Sequence, residues 1–161
     1  LLSWNESLLR SYNNDLLNAI TNNRNLMTEK YAYMMKSSSP QEFEKIKKYL
    51  PFLSKEQLEI IEKICSIQVK WYIETIELYP AVAGRGRSVR TIEDRPGAVS
   101  FETYLRGELS IYSYETQKLY FEYICQLENK GLNMNLKILE NTVRAYGYLS
   151  LDNAERSLKT F

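Results

Sequence analysis

A length of 161 residues suits one domain with a sizeable core, so we expect a single domain over residues 1–161. The 21 basic and 20 acidic residues leave a net charge of +1, which argues against a nucleic-acid-binding surface or a polybasic membrane surface. The absence of histidine excludes His-based catalytic triads and mixed His/carboxylate metal sites.

Further classes are disfavoured by what the chain lacks. No apolar run reaches the roughly 18 residues of a membrane span, and no signal peptide is visible. Cys65 and Cys125 fall inside predicted helices and are expected as reduced thiols, with a disulfide between them as the alternative. No cluster of Asp and Glu indicates a metal site. We therefore expect a cytoplasmic protein without metal, cofactor, nucleic acid or membrane partner.

Helical periodicity without any alternating strand pattern predicts an all-α bundle. A short lead-in with one helical turn at 5–10 is followed by the expected helices. Three long helices carry the bundle and shorter ones pack around them. We expect the helices at about 14–36, 40–49, 55–79, 101–130, 134–146 and 151–159.

Two charged residues occur within or beside the apolar faces of the predicted helices. Arg24 interrupts the apolar stripe of the first long helix, so it either pairs with a carboxylate inside or extends past the methionines to water. Glu74 lies beside Trp71 on the second long helix, where a desolvated carboxylate would need a cationic partner.

The helix at 101–130 places a polar pair beside its core stripe. Projection at about 100° per residue puts Glu102 and Arg106 on one flank, four residues apart and able to pair. Further along, Tyr120 and Ile124 fill the same flank. The predicted core stripe comprises Phe101, Leu105, Leu109, Tyr112, Thr116, Leu119, Tyr123 and Leu127.

The stretch 80–99 has no helical periodicity and is predicted to be a long functional loop. No lysine occurs between Lys70 and Lys118, whereas five arginines do. Arginine alone favours forked contacts to carboxylate or phosphate groups of the protein or of a ligand. The run Gly84–Arg87 is neither a Walker A loop nor a dinucleotide fingerprint.

Several motifs together are familiar. They are Arg24-Asn25-Leu26 with Glu29-Lys30-Tyr31 and Met34-Met35, Trp71…Glu74…Tyr79-Pro80, Arg85-Gly86-Arg87, Glu102-Thr103-Tyr104-Leu105-Arg106-Gly107-Glu108-Leu109, and Tyr146-Gly147-Tyr148. The chain resembles a bacterial family catalogued only as a domain of unknown function. The resemblance implies a further segment before Leu1, which could complete a site, and it assigns no catalytic residue.

Two functions remain open from sequence. In the first, Arg24, Glu74, Glu102 and Arg106 meet near the start of the 101–130 helix, with the loop arginines folded over them, to hold an anionic small molecule. Catalysis is undecided; Glu74 or Glu102 would then be the general base. The candidate ligand-binding residues are Arg24, Glu74, Arg85, Arg87, Glu102, Tyr104, Arg106 and Tyr146.

The alternative is a non-enzymatic structural or protein-interaction module. The same charges would then form an internal ion network that holds the loop against the bundle. The thirteen tyrosines suit an interaction surface, because Tyr and Arg are enriched at protein interfaces.

Overall fold

The computed structural model describes residues 3–159, which form nine α-helices and two short 3-10 helices without a strand. The all-α prediction is confirmed. None of these helices combines the length and apolar character needed to span a bilayer. The α-helices are α1 (Glu6–Thr21), α2 (Leu26–Ser38), α3 (Pro40–Ile46), α4 (Lys55–Leu78), α5 (Pro80–Ala83), α6 (Phe101–Ser110), α7 (Tyr114–Asn129), α8 (Met134–Ala145) and α9 (Leu151–Lys159).

The bundle is built around α4. This helix packs against α5, α6, α7 and α8, so its apolar residues are buried on more than one side. A capping box of Ser54 and Gln57 begins it, as the sequence predicts, because the two side chains satisfy N–H groups that the first turn leaves free. Its buried residues meet those of α1, α6 and α7 in the main hydrophobic cluster. That cluster includes Leu8, Ile61, Ile64, Cys65, Trp71, Leu105, Leu109, Tyr120 and Ile124.

The predicted lead-in and first long helix are instead two helices: α1 begins already at Glu6, and α2 follows after a break at residues 22–25. Asn23 adopts a left-handed conformation with φ of 52°, which asparagine tolerates better than most residues. The Asn25 side chain then accepts a hydrogen bond from Thr28 N and begins α2. Most of the predicted stripe was therefore wrong, because Leu8, Ala19 and Lys30 are buried instead. Of its members Leu16, Ile20, Met27, Tyr31 and Met34, Met34 is buried and the other four are exposed.

The predicted helix 101–130 is also interrupted, between Ser110 and Tyr114. Ser113 begins α7 by accepting a hydrogen bond from Thr116 N, and buried Asp15 of α1 accepts one from Ser113 N. The break changes the helical phase. Tyr120 and Ile124, predicted for the flank, are consequently among the most buried residues of α7.

The stretch 80–99 is more ordered than the sequence indicates. Pro80 ends α4 and occupies the first turn of α5, where its missing N–H costs nothing. A 3-10 helix follows at Thr91–Glu93, and a tight turn pairs Arg95 with Ala98. The segment thus lies between α4 and α6 as a structured connection.

A smaller hydrophobic cluster joins the C-terminal helices to α5. Val143, Leu151 and Ala154 are buried there, with Val82 and Tyr148 packed against them. Buried Glu155 of α9 accepts hydrogen bonds from the backbone N–H groups of Ala81 and Val82, both at 3.0 Å. These bonds attach α9 to the first turn of α5.

Candidate functional site

A cavity of about 470 Å³ lies between α2, α4 and α6, and we call it the Arg106 cavity. Its apolar wall comes from α3, the 51–54 connection and the start of α4. Its polar side comes from α4, the 91–93 helix and α6. The lining residues are Tyr33, Lys36, Ser37, Phe43, Leu53, Leu58, Glu62, Thr91, Glu102, Thr103, Arg106, Gly107 and Ser110.

Arg106 is the centre of the polar side. Its Nε and Nη2 donate to the two carboxylate oxygens of Glu62 at 2.7 and 2.9 Å, a forked contact between α6 and α4. Nη1 donates to Thr91 Oγ1 at 3.1 Å, and Glu102 Oε1 lies 3.6 Å from Nη2. The side chain is 29% exposed, so it is held firmly yet remains open to the cavity.

A chain of hydroxyl groups continues from Arg106 to Asp94. Thr103 Oγ1 donates to Asp94 Oδ2 at 2.5 Å, which leaves Thr91 Oγ1 to donate to Thr103 Oγ1 at 3.1 Å. Ser37 of α2 donates to the same Asp94 oxygen at 2.5 Å. The connection between α5 and α6 is therefore attached to both α2 and α6 through one carboxylate.

The N-terminus of α6 is already satisfied within the protein. Ser100 N donates to Asp94 Oδ1 at 2.7 Å, and Thr103 N donates to Ser100 Oγ at 3.2 Å. Phe101 N and Glu102 N donate to the carbonyl groups of Ser88 and Val89. The anion-binding capacity that a free helix N-terminus would offer is consequently used by Asp94 and the loop backbone.

The ion pair of Glu62 and Arg106 shifts the pKa values of both groups. The hydrogen bonds from Arg106 hold the pKa of Glu62 below its ordinary value, and they raise the pKa of the Arg106 guanidinium. Because a carboxylate with a lowered pKa is a weak base at neutral pH, Glu62 is a poor candidate for general-base catalysis.

Two of the four residues expected to converge lie together, namely Glu102 and Arg106. Arg24 instead pairs with Glu29, with Nε and Nη2 at 2.9 and 2.6 Å from the two carboxylate oxygens. It bridges the turn between α1 and α2 at the surface. Glu74 lies twelve residues further along α4 than Glu62 and accepts a hydrogen bond from Asn133 Nδ2 at 3.2 Å. The predicted four-residue cluster was wrong, because the break at 22–25 lets Arg24 pair locally with Glu29 and because Glu74 contacts Asn133 between α7 and α8.

The remaining predicted residues are dispersed. Tyr104 has Lys30 Nζ 3.8 Å and the Arg87 guanidinium 4.7 Å from its ring centroid, and Lys30 pairs with Glu108. Arg87 also donates to Val99 O at 3.1 Å. Tyr146 is 81% exposed. Arg85 lines a different cavity, on the α8 side of α4.

Sequence reasoning missed Glu62 and gave Asp94 no specific role. Glu62 is an exposed acid on α4, separated by 44 residues from its partner Arg106, and no local pattern distinguishes it from Glu59 or Lys63. Asp94 carries a weak local signal, because it precedes the helix-capping Ser100 by six residues. Within 3–159, no group of His, Cys, Asp or Glu is arranged to hold a metal ion.

The polar pattern of the 102–109 motif is accounted for by contacts with other segments. Thr103 reaches Asp94, Tyr104 meets Lys30, Arg106 meets Glu62, and Glu108 meets Lys30. Gly107 brings α6 against α2, because a Cβ there would lie 2.6 Å from Met34 Cγ.

Comparison with known proteins identifies a family and no function. The chain matches no curated protein and no solved structure. A family model described as "Protein of unknown function (DUF4125)" matches residues 1–156. Since this match covers nearly the whole sequence, the chain belongs to the DUF4125 family of proteins of unknown function.

Proposed function

We propose that the protein binds a small amphipathic molecule with a single carboxylate in the Arg106 cavity. The observation that carries the proposal is a partly buried guanidinium facing a cavity with an apolar wall. Of the five N–H groups of an arginine, the contacts of Arg106 to Glu62 and Thr91 use three. One N–H on each terminal nitrogen makes no hydrogen bond, since Glu102 Oε1 lies 3.6 Å from Nη2, beyond hydrogen-bond distance, and these two N–H groups can meet a carboxylate.

The charges around the cavity favour a monocarboxylate over a phosphate. Lys36 and Arg106 contribute two positive charges, and Glu62 and Glu102 contribute two negative charges. A phosphate dianion would stand beside two carboxylates without a free helix N-terminus to support it. A monocarboxylate adds one charge, and its hydrocarbon part gains stability by covering Phe43, Leu53 and Leu58.

Thermal unfolding in the presence of ligand probes tests this proposal. Hexanoate, 1-hexanol and inorganic phosphate should be titrated separately. At a hexanoate concentration of about 100 times Kd, binding stabilises the native state by about 2.7 kcal/mol, which raises Tm by roughly 5–10 °C. Phosphate should give no specific rise, and hexanol a smaller one. No rise with hexanoate up to its solubility limit would contradict the proposal.

A charge reversal at Lys36 tests whether hexanoate binds in the Arg106 cavity. Lys36 is exposed, lines the cavity and forms no ion pair within the described chain, so Lys36→Glu should leave folding intact. We expect it to reduce hexanoate affinity severalfold, because it removes one of the two positive charges and adds a third negative charge beside the carboxylate. Lys70→Glu, at an exposed position of α4 outside the cavity, is the matched control and should retain wild-type affinity.

The second candidate is the structural module, and a specific observation favours it. Arg106 and Asp94 together connect α2, α4, α6 and the 91–94 segment without any ligand. If this network is the whole role of the cluster, Glu62→Gln lowers stability and no carboxylate probe raises Tm in the unmodified protein.

A further inference from the structure

A second cavity, of about 430 Å³, lies between α4, α5, α6 and α8, and we call it the Arg85 cavity. It shares no lining residue with the Arg106 cavity. Its volume falls in the range of small-molecule sites. The features that bear on a ligand are Tyr72, Val82, Arg85, Phe101, Asn135 and Ile138.

One wall of the Arg85 cavity is aromatic. The rings of Tyr72 and Phe101 are stacked, with centroids 4.1 Å apart and planes 12° from parallel. The loop approaches this pair closely, because a Cβ at Gly86 would lie 2.7 Å from the Tyr72 hydroxyl oxygen. Tyr72 also donates to Arg87 O at 3.1 Å. The wall is therefore fixed in place and presents apolar surface together with Ile138 and Val82.

A buried amide adds a directional polar group. Asn135 is 9% exposed, and its Nδ2 donates to Gln68 O at 3.2 Å. No described residue donates to Asn135 Oδ1. Among the side-chain polar atoms of residues 3–159, Gln117 Oε1 alone is both fully buried and without a partner. Asn135 Oδ1, which also lacks a partner, is therefore not fully buried, and Asn135 lines the Arg85 cavity. The unpartnered amide oxygen of this largely buried residue can accept a hydrogen bond from a ligand.

The charge of the Arg85 cavity is unbalanced. Arg85 is the one charged residue among the described residues that line it, and it forms no hydrogen bond or ion pair with any of them. Among the other loop arginines, Arg87 donates to Val99 O and Arg90 lies 3.7 Å from Glu102 Oε1. Neither these two nor Arg95 line the Arg85 cavity. A free guanidinium beside an aromatic wall is suited to a planar carboxylate whose ring can stack.

We propose that the Arg85 cavity binds an aromatic carboxylic acid. The ring lies against Tyr72, Phe101 and Ile138, and the carboxylate accepts the forked hydrogen bonds of Arg85. A hydroxyl or amino substituent on the ring would donate to Asn135 Oδ1. This site is independent of the Arg106 cavity in position, in lining residues and in its net positive charge.

Amide chemical-shift titration with 3-phenylpropionate tests the inference, with 3-phenylpropanol as the neutral probe of the same ring. Saturable shifts are expected at the amides of Gly86 and Ile138. Arg85→Gln should weaken phenylpropionate binding by about 10-fold or more, as expected for loss of a charged hydrogen-bonding partner, and should leave phenylpropanol binding unchanged.

Arg95→Gln is the matched control, because Arg95 is an exposed arginine of the same loop that does not line the cavity. It should change phenylpropionate affinity less than twofold. Equal affinities in Arg85→Gln and the unmodified protein would overturn the inference. So would the absence of saturable shifts at Gly86 and Ile138.

A cavity-filling change separates this site from the Arg106 cavity. Ile138 is 44% exposed, so Ile138→Trp can be accommodated while its ring fills the cavity. It should abolish binding of both phenyl probes, whereas Lys36→Glu should not affect either. If Lys36→Glu weakens phenylpropionate binding and Ile138→Trp does not, the probe binds in the Arg106 cavity and the inference is wrong.

Discussion

Asp94 shows how one side chain fixes a long connection. It accepts hydrogen bonds from Ser37, Ser100 and Thr103, which belong to α2, the start of α6 and α6. Without this carboxylate, Ser100 N would lose its acceptor, and the hydroxyl groups of Ser37 and Thr103 would keep only longer contacts of 3.1–3.4 Å. Asp94 thus holds one end of the 91–94 segment, while Glu102 holds the other by accepting a hydrogen bond from Thr91 N at 2.8 Å.

Asp94→Asn tests this role of the carboxylate. The amide replaces one acceptor oxygen by a donor that faces another donor, so we expect the free energy of unfolding to fall by about 1–3 kcal/mol. Urea unfolding followed by circular dichroism measures the change. Glu77→Gln, at an exposed position of α4, is the control and should be neutral. An Asp94→Asn protein as stable as the unmodified one would contradict the assigned role.

The same residue predicts a pH dependence. Partial burial raises the pKa of Asp94, but the hydrogen bonds from Ser37, Thr103 and Ser100 outweigh that effect and hold it below its ordinary value of 3.8. The unfolded state therefore binds the proton first, and stability falls as pH falls.

We expect the stability difference between the unmodified protein and Asp94→Asn to be constant above about pH 5 and to shrink as pH falls through the range below 4. Urea unfolding at a series of pH values measures it. A difference that grows on acidification would show that the sign of the shift is wrong.

The sequence indicated which type of residue forms the site more readily than it indicated which residues pair with one another. The abundance of arginine around α6 correctly drew attention to Arg106, whose forked carboxylate contact is the kind that this composition favours. Its partner could not be predicted, because Glu62 comes from another helix and the pairing depends on the crossing of α4 and α6.

At the level of the elements, two helix breaks decide which side chains face inward. One separates α1 from α2, and the other separates α6 from α7. Periodicity alone continues through both breaks, since apolar residues occur on either side. Asn-rich residues 22–25 and Ser113 carry capping signals that indicate a new helix start. The helix ends marked by proline or by a capping box were predicted more accurately, because those residues act locally.

The crossing of α2 and α6 at Gly107 provides a second test. Alanine would raise helix propensity by about 1 kcal/mol, but its Cβ would meet Met34 Cγ at 2.6 Å and Lys30 O at 3.1 Å. Overpacking of this kind costs about 1–3 kcal/mol, so we expect Gly107→Ala to be destabilising on balance.

Thermal unfolding of Gly107→Ala, Met34→Ala and the double variant measures the coupling. If the crossing is as close as the structure has it, the cost of alanine at 107 becomes smaller when Met34 is truncated. A stabilising Gly107→Ala in the unmodified background would mean that α2 and α6 are not in close contact there.

Glu155 provides a third test, at the attachment of α9 to α5. Removing its carboxylate leaves the N–H groups of Ala81 and Val82 without their acceptor. We expect Glu155→Ala to accelerate hydrogen exchange at these two amides. Lys159→Ala, which removes only the ion pair at 3.2 Å, should leave their exchange nearly unchanged. Equal exchange rates in both variants would contradict this attachment.

For the whole molecule, two cavities of different electrostatic character lie against α4 and α6. The Arg106 cavity has balanced charges, whereas the Arg85 cavity has one free cation. The near-neutral composition of the sequence conceals this difference, because Arg106 shares its cavity with Glu62 and Glu102 whereas no acidic residue lines the cavity beside Arg85. The all-α class was predictable from periodicity, but the positions of the cavities required the packing of helices distant in sequence.

The central claim is that a carboxylate ligand meets Arg106 inside the cavity between α2, α4 and α6. Amide chemical-shift mapping of the protein with hexanoate tests it most directly. We predict saturable shifts that are largest at Ser37, Thr91 and Gly107 and that are reduced in Lys36→Glu. Unchanged amides at these three residues at saturating hexanoate, or shifts confined to other surfaces, would contradict the claim.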